Sequence, residues 1–228
     1  MYYEATWRRI GQLKFIITES IKEPTAMTSN FYAFLTRLRW IKRWGLKRNA
    51  YEENVMEHSW EVATIAHALA LIKNRKFNGN VDANAIATAA LYHDVTEVIT
   101  GDLPTPIKYH SAAINTAYKT IEKQTSYELI KILPAELQQD YQPFILEEQQ
   151  PEINRQIIKA ADKISAYLKC QAELKAGNLE FETAAERLNA DITETTMPEV
   201  KYFMEVFAPS CGLSLDKLMQ ATDSDSQV

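Results

Sequence analysis

The chain has 228 residues, 46% of them apolar and 24% charged, which is enough to bury a sizeable core and excludes a disordered tail. Its net charge is −5, which lays down no electrostatic footprint for a nucleic-acid polymer. The six glycines, at positions 11, 45, 79, 101, 177 and 212, are never closer than 22 positions; this excludes a Gly-rich dinucleotide or Walker-type phosphate loop and a G-x-S-x-G nucleophile elbow.

Residues 1–26 come first and are amphipathic in places (Ile10, Leu13, Ile16, Ile17), with Pro24 separating them from the rest of the chain. A packed extra helix and a flexible extension both fit them, and Met27 is a second candidate start. Their apolar centre, Phe15-Ile16-Ile17, is too short for the hydrophobic region of a signal peptide. Phe31, Phe34, Leu35, Leu38 and Ile41 then form a stripe at helical spacing, with Gly45 placed as its stop. A second stripe runs Val55, His58, Val62, Ile65, Leu69, Ile72 and closes at the turn Asn78-Gly79-Asn80. Asp82 is placed to cap a third helix that passes through Ile86, Ala89, Ala90, His93 and Glu97 and ends at Gly101.

The segment 101–106 holds one glycine and two prolines and is predicted to be loop. Further helices are expected over 111–133, 152–175 and 196–208, with Pro134, Pro143, Pro151 and Pro198 at the breaks. Residues 221–228 read as a frayed tail. No alternating strand pattern and no internal repeat stand out. The expectation is an all-α fold, a single helical-bundle domain over 27–220. Cys170 and Cys211 form neither a C-x-x-C pair nor a metal spacing, which fits a reducing, cytoplasmic setting. No run approaches the 18 apolar residues of a membrane span.

What breaks the stripes carries the chemistry. His58 sits where the period asks for an apolar residue, and an inward imidazole needs a partner at each ring nitrogen. The third helix turns polar on its inward face at His93, Asp94 and Glu97, the last sharing a face with the other two. A buried carboxylate beside a histidine asks for compensating positive charge, for which a divalent cation is the simplest source. Asp162 borders the apolar face of its own segment. Taken singly, His58 also fits a hydrogen-bonded core histidine, His93-Asp94 a surface pair, and Asp162 a solvated partner of Lys159 or Lys163. The basic stretch Arg37, Arg39, Lys42, Arg43, Lys47 and Arg48 fits a solvated face as well as a phosphate clamp.

Together, His58, the tandem His93-Asp94 and then Asp162 resemble the metal-binding signature of the HD-domain phosphohydrolases. Over residues 30–220 the chain further resembles the bacterial 5′-deoxynucleotidases, through Arg43-Trp44, Glu53-Asn54-Val55-Met56-Glu57-His58-Ser59, Tyr92-His93-Asp94, Glu97, Gly101-Asp102-Leu103-Pro104-Thr105-Pro106-Ile107-Lys108 and Tyr167-Leu168-Lys169-Cys170. That resemblance implies an all-helical homodimer in the cytoplasm that hydrolyses deoxyribonucleoside 5′-monophosphates to deoxynucleoside and phosphate. It implies one divalent ion on His58, His93, Asp94 and Asp162, and catalytic roles for Glu97, Asp102 and Arg43. It also implies substrate contacts from Arg43, Trp44, His58, Asp94, Asp102, Leu103, Pro104, Thr105 and Asp162, and it assigns neither a nucleic-acid polymer nor a membrane as partner. One departure is visible: Gly45 follows Trp44 where proline is expected in the best-known member of that family.

Two imidazoles and two carboxylates without thiolate suit Mn²⁺, Co²⁺, Fe²⁺ or Zn²⁺, with Co²⁺ or Mn²⁺ favoured. Other readings are a phosphohydrolase acting on a different nucleotide and a non-catalytic, nucleotide-binding helical sensor.

Overall fold

The computed structural model describes residues 28–225; the amphipathic segment 1–26 and Met27 lie outside the described residues. Helix α1 (Phe31–Leu35) tightens into a 3₁₀ turn over Thr36–Trp40. A connecting arm leads to α2 (Val55–Lys76) and α3 (Ala83–Leu91). Two single turns come next, α4 (Glu97–Thr100) and α5 (Thr105–Lys108). Then come α6 (Ala112–Ile132), α7 (Ala135–Ile145), α8 (Glu152–Lys175), α9 (Glu182–Thr193), α10 (Pro198–Val206), α11 (Ala208–Cys211) and α12 (Leu215–Asp225). Helical backbone thus continues past residue 220, where the sequence placed the end of the domain. No strand occurs among the described residues; Lys42 and Asn54 form one isolated antiparallel bridge.

Helix α2 is the axis of the bundle and packs against α3, α8 and α10. Its entry is well defined. The Asn54 side chain accepts the Glu57 N–H at 3.0 Å, and the Glu57 carboxylate accepts the Asn54 N–H at 3.3 Å, a reciprocal cap. Val62, Ile65, Ala66 and Leu69 of α2 meet Ile86, Ala89 and Ala90 of α3 and Ile157, Ala161 and Ile164 of α8 in the main core. A second cluster joins Phe31 to Val95, Leu129, Ile130, Leu133, Ile145 and Leu146. A third, Ala166, Cys170, Phe181, Ala185 and Leu188, takes Trp44 onto its side. Cys170 and Cys211 are both free thiols, and no described helix is long and apolar enough to cross a membrane.

Four local expectations are corrected. The first stripe ends at Trp40, and Gly45 is not its stop: the sharp turn is made by Trp44 itself, at φ 58°. The third helix does not run through to Gly101. It ends at Leu91, and residues 92–96 wind through i→i+3 hydrogen bonds, because His93 Nδ1 takes the Ala90 carbonyl at 2.8 Å. The segment 101–106 is loop only in its first part. Gly101 turns the chain at φ 69°, and Thr105 then opens a helical turn with Pro106 near its start, where a missing N–H costs nothing. Pro143 marks no break but lies in the last turn of α7, whose helix ends two residues later.

Candidate active site

The site forms where the α2 entry, the 92–97 turn and the middle of α8 converge on the arm carrying Arg43 and Trp44. His58 lies one turn into α2, fully buried. Its Nδ1 faces inward, 3.1 Å from Ser165 Oγ and 3.4 Å from Glu53 Oε1. Ser165 donates its own hydroxyl to Glu61 Oε2 at 2.6 Å, so it accepts from Nδ1–H of His58. That fixes the tautomer and leaves Nε2 with a free lone pair. His93 is set in the same way: Nδ1–H donates to Ala90 O, and Nε2 is left open.

Both Nε2 atoms are buried and make no hydrogen bond. They flank one carboxylate oxygen, Asp94 Oδ2, at 3.6 Å from His58 and 3.2 Å from His93. Donor atoms of His58, His93 and Asp94 all lie within 4.8 Å of one another. Asp162 Oδ1 is 3.1 Å from His58 Nε2, at the more open edge of the group. It is not a solvated partner of a lysine, since Lys163 pairs with Asp191 at 2.6 Å instead. Two inward lone pairs and two carboxylates with no donor among them fit a divalent cation.

The electrostatics describe the group without a cation, where a proton on His58 Nε2, facing Asp162, takes the place that an ion would hold. Burial works against charge on Asp94, yet His93, His58 and Arg43 hold its carboxyl far below the usual range. Burial likewise opposes charge on His58, but Asp162 and Glu53 push its pKa up to about 9. Glu97 goes the other way. It is buried with Oε2 unpartnered, and burial, reinforced by Asp94 and Asp102, pushes its carboxyl up to about 10. Burial also raises Asp102, against the pull of Arg43.

Arg43 reaches the group from outside, with Nη1 3.5 Å from Asp94 Oδ2 and Nε 3.5 Å from Glu53 Oε1. Beside it opens a cleft of about 740 Å³, lined by Arg43, Trp44, Asp102, Pro104, Thr105 and, from α9, Thr183 and Arg187. Leu103 is half-buried between Asp102 and Pro104. The Trp44 indole packs edge-on against Phe181 at 5.2 Å, so it is anchored in the third cluster while it lines the cleft. His58, His93 and Asp94 thus lie deep with Asp162 at their open edge, while Arg43, Trp44, Asp102, Pro104 and Thr105 line the cleft beside them and Leu103 does not line it.

Three residues at the site carried no role in the sequence reading: Glu53, Glu61 and Ser165. Glu61 and Ser165 had a spacing signal, because each lies three residues from a singled-out residue, His58 or Asp162, and so shares its helix face. Glu53 had none, since it precedes the helix and reaches its partners only through the folded arm.

Against known proteins, residues 30–211 match the family model described as 5'-deoxynucleotidase YfbR-like. A 5'-deoxynucleotidase of Vibrio vulnificus (strain YJ016) is 50% identical over 190 residues, 83% of this chain and 98% of that protein. Among solved structures, an HD-domain phosphohydrolase of Listeria innocua superposes with a TM-score of 0.70 at 26% identity, covering 87% of this chain and 97% of that one. The HD phosphohydrolase of cyanophage S-2L, bound to dA and one catalytic Zn²⁺ ion, shares the fold at 19% identity and a TM-score of 0.57, over 81% and 99% of the two chains.

Proposed function

The chain belongs to the 5'-deoxynucleotidase YfbR-like family, and we propose from that membership and from its site that it hydrolyses deoxyribonucleoside 5′-monophosphates to deoxynucleoside and phosphate. The observation that carries the reading is the pair of buried, unpartnered Nε2 atoms of His58 and His93 turned onto the Asp94 carboxylate.

His58, His93, Asp94 and Asp162 are the residues that would hold a divalent ion; two imidazoles and two carboxylates suit Mn²⁺, Co²⁺, Fe²⁺ or Zn²⁺ alike, and Co²⁺ or Mn²⁺ is the ion proposed. Bound there, the ion supplies positive charge against the phosphoryl oxygens and acidifies water. Hydrolysis joins a water oxygen to phosphorus, breaks the bond from phosphorus to the 5′-oxygen and leaves a proton on the departing oxygen. Arg43 presents a planar guanidinium whose fork matches two phosphate oxygens. Glu97, held protonated by burial, stores the proton that the departing 5′-oxygen takes. Trp44 walls the cleft for the nucleoside, and Asp102, Leu103, Pro104 and Thr105 form the loop facing its sugar. A homodimer and a cytoplasmic location are part of the same proposal; the first rests on the family resemblance and the second on the two unpaired cysteines.

The test is phosphate release from dAMP, dTMP and AMP by purified protein stripped of metal and resupplied with Mn²⁺ or Co²⁺, with metal content measured alongside. Divalent-dependent release from the deoxy substrates, slower release from AMP, and loss of both bound metal and turnover in Asp94→Ala are expected. Turnover or bound metal persisting in Asp94→Ala overturns the assignment. Equal rates on dAMP and AMP overturn the deoxy preference.

A further inference from the structure

Glu53 stands immediately before the cap of α2, the helix that carries His58. Its carboxylate is mostly buried and divides its two oxygens among three functional side chains. Oε2 accepts the Trp44 indole N–H at 2.9 Å. Oε1 lies 3.5 Å from Arg43 Nε and 3.4 Å from His58 Nδ1. The main chain repeats the link: the Glu53 carbonyl accepts the Arg43 N–H at 3.0 Å, and the Ile41 carbonyl accepts the Val55 N–H at 3.0 Å.

The indole N–H donates to one oxygen, and the Arg43 guanidinium and the His58 ring lie against the other at ion-pair distance, so a single carboxylate touches all three. The arm itself needs a restraint. Trp44 occupies the left-handed region at φ 58°, where a bulky residue is strained and persists only when its surroundings over-determine it. The following residue, Gly45, has open space around it and offers no such hold.

We propose that Glu53 is the positioning residue that locks the substrate arm, Arg43 and Trp44, to the metal-binding histidine His58. Without it the arm relaxes out of the left-handed turn, Arg43 and the indole leave the cleft wall together, and the His58 ring loses one of the two groups that orient Nδ1. For its kinetic consequence this inference rests on the deoxynucleotidase reading; for its structural consequence it does not.

The test uses the full chain and the variants Glu53→Ala, Glu53→Gln, Trp44→Phe and Glu53→Ala/Trp44→Phe. In ¹⁵N correlation spectra the Trp44 indole signal, assigned by its absence in Trp44→Phe, is expected to move in Glu53→Ala while the other three tryptophans stay. Glu53→Ala is expected to raise KM for dAMP and the dissociation constant for Mn²⁺ by about 10-fold each, with a smaller loss in kcat. Adding Trp44→Phe to it is expected to cost less than the two single losses multiplied, because both disable one device. Glu53→Gln keeps an acceptor for the indole, so its Trp44 signal stays near native while both constants still rise. An unmoved indole signal in Glu53→Ala, or fully multiplicative losses, overturns the proposal. If Glu53→Ala does not fold, native-like KM and Mn²⁺ affinity in Glu53→Gln overturn it. Failure of the unmodified protein to hydrolyse dAMP sinks the deoxynucleotidase reading alone, since the indole signal and Mn²⁺ affinity still judge Glu53.

Discussion

Ser165 Oγ lies 3.1 Å from His58 Nδ1, although 107 residues of chain separate the two. The hydroxyl accepts from the ring and donates onward to Glu61 at 2.6 Å, so a carboxylate on α2 orients a histidine of the same helix through a serine of α8. Such relays fix which nitrogen is free to ligate, and losing one typically costs about 10- to 100-fold in metal affinity. Ser165→Ala is therefore expected to weaken Mn²⁺ binding by about 10-fold, measured by titration calorimetry, and Glu61→Gln by less, since an amide still accepts. Unchanged affinity in Ser165→Ala would show that Glu53 alone orients the ring.

Glu97 is expected to matter for the proton and not for the ion. Replacing it with Gln keeps its shape and removes the transferable proton. The expected outcome is a fall in kcat on dAMP of about 10²- to 10⁴-fold, with full metal content by elemental analysis. Loss of metal in Glu97→Gln would make it part of the metal shell instead.

Arg43 separates charge from geometry. Lysine retains the positive charge but not the planar fork that addresses two phosphate oxygens at once. Charge-assisted hydrogen bonds contribute about 1.5–3 kcal/mol, so Arg43→Lys is expected to raise KM for dAMP by about 10-fold and Arg43→Ala by about 100-fold. A lysine variant with native KM would assign Arg43 a role as bulk positive charge only.

Much of this site is legible from spacing. His58 interrupts an otherwise apolar stripe, and His93, Asp94 and Glu97 turn an inward face polar, which singles them out, but taken one at a time they also fit a core histidine and a surface pair, and only the family resemblance joins them with Asp162 into one site. What spacing does not reveal is where a helix breaks without glycine or proline. Residues 92–96 leave the α-helical pattern because the His93 ring takes the Ala90 carbonyl, a side-chain choice settled only once the ring has a reason to face inward. The helices α7 and α9 escape the periodicity for a plainer reason: their buried residues are Ile145 alone in one and Ala185, Leu188 and Ile192 in the other. The arm at 41–54 is invisible locally, because part of what holds it comes from far along the chain: Phe181 packs on Trp44, and Glu173 takes the N–H groups of Ala50 and Tyr51.

Glu173 also makes the stability of the fold depend on pH in the acid range. Glu173 of α8 is completely buried and accepts the Ala50 N–H at 2.7 Å, the Tyr51 N–H at 3.0 Å and the Asn178 amide at 2.8 Å, and it pairs with Lys169. It thereby clips the end of the substrate arm to α8. Burial opposes its charge, but Lys169, Asn178 and the two backbone N–H groups outweigh burial and lower its pKa from 4.5 to about 2. A carboxyl depressed in the folded state stabilises fully above its unfolded pKa, and that stability drains away as pH falls through the folded value. The window here runs from 4.5 down to about 2. Glu173→Gln lacks the charge at every pH and strands the Lys169 ammonium, so near neutral pH it is expected to lose about 2 kcal/mol. For a chain of this size that is a fall of about 4–8 °C in Tm. As pH drops through the window, the unmodified protein loses the same contribution, and the gap between the two melting curves is expected to close. Thermal melts followed by circular dichroism across that range decide it: a gap that stays constant with pH would mean that Glu173 holds the arm by shape and hydrogen bonding alone, with its charge contributing nothing.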